Sequence, residues 1–127
     1  MNLKELMMQY LREEGYCPKE DEYSIDFKCE GLGFAFLYDE DDDQFFRLMM
    51  PNIFEVTDEN RDEVLRALNE TNNRVKVAKL YTPIPSSVWA AFEVLVDSTP
   101  VLDDIVPRAL ATLRGARMAF YEAIQNG

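Results

Sequence analysis

The sequence contains no histidine, and this absence removes the side chain that most often serves acid–base catalysis and metal binding near neutral pH. It has two cysteines, Cys17 and Cys29, which form no CxxC pair, so a zinc site would need unusual ligands. We expect two free thiols, because a disulfide between them is disfavoured in a reducing compartment. Phosphate-binding glycine loops and nucleophile elbows are also missing. The sequence therefore predicts a protein that is not an enzyme and that uses no cofactor or metal.

The chain also lacks long apolar runs and basic stripes. No apolar run reaches the ~18–20 residues that a membrane span requires, and the N-terminal segment MNLKELMMQYLREE, which contains acidic residues, does not resemble a secretory signal. Lysine and arginine total 13 against 24 acidic residues, which gives a net charge of −11. Binding to nucleic acid phosphates needs clustered basic residues. We therefore expect a cytoplasmic protein whose partners are neither membranes nor nucleic acids.

The negative charge is concentrated in the first half of the chain. Residues 1–60 contain 16 acidic and five basic side chains, whereas residues 61–127 contain eight of each. The run DEDDD at residues 39–43 lacks the central glycine and the distal glutamate of an EF-hand loop. We interpret it as a solvated acidic turn between two strands, with calcium binding as the less favoured alternative.

The length and the apolar periodicity indicate one α+β domain over residues 1–127. Tyr23, Ile25, Phe27 and Cys29 alternate with polar residues, which is typical of a strand with one polar face. The predicted order is α-β-β-β-α-β-β-α, with a five-stranded, mostly antiparallel sheet on which the N- and C-terminal helices pack. The predicted elements are helix 2–14, strand 23–30, a turn at 31–33, strands 34–38 and 44–50, helix 57–72, strands 74–81 and 88–96, and a helix beginning near Asp104.

Several residues predict where these elements begin and end. Pro51 should end the third strand, and the loop 82–87 should separate the last two strands. Thr57 or Asp58 should cap the second helix and Asp104 the third, with Pro107 in its first turn. We expect a bulge at Val77–Ala78. We also expect Asn69 and Asn72 to secure the corner after the second helix, and Gly115 to mark a close packing point in the third.

Three predicted strands are apolar on both faces, more than the helices suffice to cover. An antiparallel sheet usually keeps one face polar, so we expect its second face to contact another copy of the chain in a two-fold dimer, or a client protein. The alternative is that helix 57–72 folds across that face in a monomer. Aromatic, methionine and helix-stripe residues are the candidates for this contact, although each also fits an ordinary core position. They are Phe46, Leu48, Met50, Phe54, Val64, Leu65, Leu68 and Trp89.

Three segments carry a resemblance to a known family: Thr57–Arg61, Val64–Asn72 and Val77–Tyr81, with a weaker continuation through Phe92–Val96 and the last helix. In these segments the chain resembles the type III secretion chaperone-like fold, and within it the bacterial sensory transduction regulator (YbjN-like) domain. The resemblance covers about two-thirds of the chain and implies a five-stranded antiparallel sheet, often in a homodimer. Secretion chaperones of this fold hold partly unfolded effectors on hydrophobic patches, and the resemblance supplies no catalytic residues.

Three function classes remain open at this point. A non-enzymatic protein-binding or chaperone-like regulatory module is favoured by the surplus apolar sheet surface and by the resemblance. An acidic inhibitor or immunity-type protein that binds a basic partner would account for the charge of the first half. A small-molecule sensor would need a closed pocket.

Overall fold

The helices and strands follow one another in the predicted order, with one short strand added near the N-terminus. The computed structural model describes residues 2–127. None of the helices within these residues is both long and apolar enough to cross a lipid bilayer. The elements are α1 (Leu3–Glu13), β1 (Lys19–Glu20), β2 (Ser24–Cys29), β3 (Leu32–Leu37), β4 (Phe45–Glu55), α2 (Arg61–Arg74), β5 (Lys79–Ile84), β6 (Ser87–Leu95) and α3 (Leu102–Gln125).

The strands form one antiparallel sheet in the order β1-β2-β3-β4-β6-β5. The predicted α+β class is confirmed, but the sheet has six strands where the sequence predicted five. The additional strand β1 pairs Lys19 with Asp26 and Glu20 with Ile25. Two exposed charged residues carry no apolar alternation, so the sequence indicated only a loop here.

The β2–β3 hairpin turns earlier than predicted. Cys29 pairs with Leu32, and the two residues between them, Glu30 and Gly31, have φ angles of 53° and 79°. A two-residue hairpin turn of this hand requires positive φ at both positions. The predicted turn at 31–33 is therefore wrong for Leu32 and Gly33, which both lie within β3.

Strand β4 continues past Pro51, where the sequence predicted its end. It runs for 11 residues from Phe45 to Glu55, and its register against β6 shifts between Met50 and Phe54. Asn52 lies in this interval with φ 55°. A bulge interrupts the ladder of hydrogen bonds, so a proline without an N–H is tolerated there.

Helix α2 begins one turn later than predicted, although a predicted capping residue is in place. Thr57 Oγ1 accepts from the Asn60 N–H at 3.3 Å, and Asn60 Oδ1 accepts from the Thr57 N–H at 2.7 Å. This reciprocal pair resembles a capping box. Residues 58–60 nevertheless form a turn, and the regular helix extends from Arg61 to Arg74.

Strand β5 starts later than predicted because the chain bends sharply at Val77. The Ala78 N–H donates to the Lys76 carbonyl oxygen at 2.8 Å, and Val77 has φ 71°. These values describe a γ-turn, which is strained for a β-branched residue. The predicted irregularity at this point is therefore present, but it precedes the strand instead of bulging from it. After β5, the predicted loop contracts to a two-residue turn before β6.

A side chain from α2 seals the outer edge of β5. Asn72 Nδ2 donates to the Leu80 carbonyl oxygen at 3.0 Å, and Asn72 Oδ1 accepts from the Leu80 N–H at 2.9 Å. The amide replaces the two bonds that a neighbouring strand would make, which blocks further pairing at this position. The predicted role of Asn72 at the corner is confirmed, whereas Asn69 contributes its backbone carbonyl oxygen, which accepts from Asn73.

Helix α3 differs from the prediction at three positions. It begins at Leu102, so Asp104 lies in the first turn, where its charge suits the helix dipole, and does not cap the helix. Pro107 consequently falls in the second turn and not in the first. Gly115 is not a close packing point, because a Cβ atom there would meet no atom of the described chain within 4 Å.

The helices pack on one face of the sheet and enclose the main core there. Its fully buried side chains include Met7 of α1, Val64 of α2 and Phe120 of α3. The sheet contributes aromatic rings such as Phe36 and Phe46, whose centroids lie 5.2 Å apart. The predicted packing of the N- and C-terminal helices is confirmed, and α2 joins them. This arrangement leaves the opposite face of the sheet without a helix.

We predict that Asn72→Ala lowers the free energy of unfolding by about 1–3 kcal/mol, since two hydrogen bonds to Leu80 are lost. Urea denaturation of the wild type and the variant measures this difference. Asn73→Ala is the matched control, because Asn73 makes a hydrogen bond within the same helix but none to the sheet in the described structure. Equal destabilisation by the two substitutions would show that the contact with β5 is unimportant.

Candidate functional site

The sheet face opposite the helices carries a second apolar cluster, separate from the main core. Among the described residues, strands alone contribute to it, so this cluster is not covered by any helix. We call it the open-face cluster. Its buried members are Ala35, Met49 and Ala91, and its half-buried members are Leu37, Tyr81 and Trp89.

Strand register brings these residues together. Ala35 pairs with Met49, and Met49 pairs with Ala91, so the three side chains form one row across β3, β4 and β6. Tyr81 pairs with Trp89 beside this row. Met49 is only 2% exposed although no helix lies over it, because larger neighbouring side chains pack against the row. The cluster is therefore partly shielded by its own rim.

Charged side chains border the open-face cluster. Glu93 lies between two cations, with Lys79 Nζ 2.6 Å and Arg47 Nη1 3.9 Å from its carboxylate oxygens. The Arg47 guanidinium also lies 5.3 Å from the centre of the Phe45 ring. Partly exposed ion pairs of this kind contribute little to stability. Their main effect is to place both signs of charge at the rim of an apolar surface.

Two N–H donors on this face are buried without acceptors. Trp89 Nε1 and Arg47 Nε have no hydrogen-bond partner among residues 2–127. A buried donor without an acceptor costs on the order of 1–3 kcal/mol. A contacting molecule that caused these side chains to rotate and supplied acceptor oxygens would remove this cost.

The residues predicted to contact a partner lie in several different places. Phe54 is half-buried and packs edge-on against Phe120 of the main core, with the ring centres 5.4 Å apart. Leu65 is 51% exposed on α2. Trp89 belongs to the open-face cluster. The others are buried in the main core, where a partner has no access to them: Phe46, Leu48, Met50, Val64 and Leu68.

The predicted contact residues of β4 lie on the face that the helices cover. Phe46, Leu48 and Met50 point toward the helices, while Arg47 and Met49 point to the open face. The signal was present in the sequence, because a charged residue within an apolar strand marks the face that is not under a helix. By this rule, Arg47 in β4 places Met49 on the open face. Glu93 in β6 likewise places Ala91 and Trp89 on it.

The open face continues into a groove at the β2 side of the sheet. The groove has a volume of about 630 Å³ and includes Ala35, which also belongs to the open-face cluster. Small pockets for ligands in proteins fall in the range of roughly 300–1,000 Å³, but they are usually more enclosed. Its lining includes Tyr16, Lys19, Asp26, Lys28, Gly33, Ala35 and Pro51.

The turn between β1 and β2 holds Lys19 at the border of this groove. Asp21 Oδ1 accepts from the N–H groups of Tyr23 at 2.9 Å and Ser24 at 2.8 Å. The Asp21 N–H donates in turn to the Ser24 carbonyl oxygen at 2.9 Å. The backbone donors of Tyr23 and Ser24 lower the pKa of Asp21 below its ordinary value of 3.8. The turn therefore favours the ionised form of Asp21.

Tyr16 forms a fixed wall of the groove. Its hydroxyl hydrogen bonds to Cys29 Sγ at 3.4 Å, and its ring lies 5.4 Å from that of Phe27. The hydrogen bond to Cys29 and the burial of the hydroxyl raise the pKa of Tyr16 to about 12. Cys29 is buried and Cys17 is exposed, and both are free thiols as predicted.

Tyr38 joins two acidic loops at one end of the sheet. Its hydroxyl donates to the carbonyl oxygens of Asp21 at 2.9 Å and Glu22 at 3.2 Å. In the DEDDD loop, Asp39 and Asp42 each accept the backbone N–H of the residue two positions later. These side chains stabilise turns in the way short acidic residues usually do, which agrees with the predicted acidic turn.

Two solved structures share this fold over nearly the whole chain. An uncharacterized protein from Methanothermobacter thermautotrophicus has a TM-score of 0.67 and 17% identity, covering 97% of this chain and 96% of that chain. YbjN, a candidate transcription regulator from E. coli, has a TM-score of 0.69 and 12% identity, covering 97% and 92%. No protein-family model and no curated protein matches the sequence. The predicted YbjN-like fold is confirmed.

We predict that Asp21→Asn destabilises the protein at neutral pH and has little effect at strongly acidic pH. The pKa of Asp21 is lower in the folded state than in the unfolded state. Its stabilising contribution is therefore complete above the unfolded pKa and is lost as the pH falls through the folded pKa. Thermal unfolding of both proteins between pH 2 and 7 tests this. A difference in melting temperature that stays constant with pH would contradict it.

Proposed function

We propose that this YbjN-like fold serves as a non-enzymatic protein-binding module, regulatory or chaperone-like in type, and that the open-face cluster is its contact surface. The observation that carries the proposal is an apolar cluster on a sheet face without helices, bordered by charged residues. Apolar surface with a polar rim is typical of protein–protein contacts. Tyr81 and Trp89 are residue types that anchor such contacts.

The charged row supports pairing between two copies as one form of this contact. A two-fold interface brings the same surface patch from both copies together, so the patch must complement itself. Lys79, Glu93 and Arg47 place both signs side by side, which allows Glu93 of one copy to meet a cation of the other. We therefore carry the homodimer forward as a proposal for the assembly of this module.

The acidic end of the sheet supports a second candidate function, an inhibitor of a basic protein. Tyr38 holds the loop of Asp21 and Glu22 beside the DEDDD loop, so that seven carboxylates are grouped. Such a group attracts basic proteins at a distance. We rank it second because the apolar open-face cluster has no role in it.

Photocrosslinking from single positions tests the main proposal. A photoreactive phenylalanine derivative in place of Tyr81, which is half-buried on the open face, should give a discrete protein adduct in the cells that make this protein. The same group at Met118, which is 57% exposed on α3, is the control and should give none. Absence of an adduct at Tyr81, or equal adducts at both positions, would refute the open face as the contact surface. An adduct at Glu40 of the DEDDD loop alone would favour the acidic inhibitor.

Sedimentation of the purified chain tests the homodimer. At high micromolar concentration we expect a species of about twice 14.7 kDa, and we expect Tyr81→Glu to shift it to the monomer because a carboxylate is costly to bury in an apolar contact. Met118→Glu adds the same charge on α3 and should leave the dimer intact. A monomer in all three samples would refute the homodimer while leaving binding of another protein in place.

A further inference from the structure

Gly33 lies at a position where the described chain leaves room for a side chain. It lies within β3 and not in the turn, and its φ is not positive. A Cβ atom added there would meet no atom of the described chain within 4 Å. Glycine inside a strand weakens the strand, and it is often found at a bulge, at a tight bend, or where another backbone or a ligand approaches closely. Nothing within the described chain lies within 4 Å of a Cβ at Gly33, so this position has room for an external molecule.

The space above Gly33 is the groove of about 630 Å³. Ala35 and Pro51 extend its floor with small apolar surfaces, and Tyr16 forms a wall that is held by its contacts with Cys29 and Phe27. The absent side chain at Gly33 therefore deepens the groove at its floor. The groove is open where Ala35 joins the open-face cluster, which favours a chain segment that continues across the sheet over a small enclosed molecule.

The groove carries positive charge, whereas the protein as a whole has a net charge of −11. Lys19 and Lys28 line it, and within residues 2–127 no carboxylate lies within 4.0 Å of either ammonium group. Asp26 also lines the groove, where it pairs across the strands with Lys19, so one lysine charge remains in excess at the groove. Excess positive charge is unexpected in a chain with 24 acidic and 13 basic residues. Charge complementarity favours an anionic occupant.

We propose that the groove over Gly33 binds an acidic, apolar segment of a partner protein. A carboxylate of the segment pairs with the ammonium group of Lys28, and a neighbouring apolar side chain or the segment backbone lies over Gly33 against Ala35 and Pro51. The proposal rests on the proposed function, since it names the chemistry of the partner that the open face receives.

Titration of the full-length, isotopically labelled protein with two synthetic peptides tests this proposal. One peptide alternates glutamate and leucine, and the other alternates lysine and leucine. The acidic peptide should shift the backbone amide signals of Lys28, Gly33 and Ala35 and should bind more weakly as salt is added. The basic peptide should not shift them. Failure of the acidic peptide at these amides, or equal binding of both peptides, overturns the proposal.

Two substitutions locate the binding. Gly33→Val fills the groove floor and suits a strand, so the denaturation midpoint should hold or rise while the dissociation constant for the acidic peptide rises roughly tenfold or more, because apolar burial is blocked. Lys28→Glu should raise it by about fivefold, the scale of an exposed charge pair. The controls are Gly115→Val, at another glycine with free space, and Lys76→Glu, at another exposed lysine. Both controls should bind as the wild type does.

The outcomes separate this proposal from the function on which it rests. Binding of the acidic peptide that Gly33→Val leaves unchanged overturns the groove proposal. If octanoate shifts the Gly33 amide and neither peptide does, the groove takes a small amphiphile, and the proposal is again overturned. A photocrosslink from Tyr81 to a protein in either case leaves the open face as a contact surface. If the acidic peptide binds but Tyr81 gives no crosslink to a protein, the open face is refuted as a contact surface. The proposal for the groove then still stands.

Discussion

The alternation of side chains along β4 is the constraint on which the rest of the structure depends. This strand pairs with β3 on one side and with β6 on the other. Its register therefore decides which side chains at the centre of the sheet face the helices. Phe46, Leu48 and Met50 face the helices, whereas Arg47 and Met49 face outward. A slip of one residue would place Arg47 beneath the helices and expose a row of buried apolar side chains. Burial of the core and composition of the open face are thus two consequences of one register.

Because the helices cover only one face of the sheet, the surfaces that a partner can contact lie close together. The three helices lie on one face, and Asn72 seals the β5 edge by bonding both backbone groups of Leu80. At the opposite edge β1 pairs with only two residues of β2. The open-face cluster meets the groove at Ala35, beside Gly33. A partner that contacts one of these surfaces lies next to the other.

The charge distribution gives this region a character different from the rest of the molecule. The acidic excess lies on loops and helix surfaces, including the two loops that Tyr38 joins. The open face carries the Lys79–Glu93–Arg47 row, and the groove beside it carries Lys19 and Lys28. Long-range repulsion from a strongly acidic molecule disfavours acidic partners in general. Local cations beside apolar surface can still select one, provided that it contacts this face.

Local periodicity and short-range hydrogen bonds were sufficient to predict the α+β class, the order of the helices and main strands, the corner at Asn72 and the YbjN-like fold. The sequence also indicated that a second sheet face would lack cover. The folded sheet shows which residues lie there, and in the sequence only Arg47 and Glu93 mark that face. The β4 bulge past Pro51, the two-residue strand β1 and the placement of Gly33 within β3 each depend on pairing with a distant segment. Local patterns identify a strand, but the pairing of strands decides which of its sides remains open.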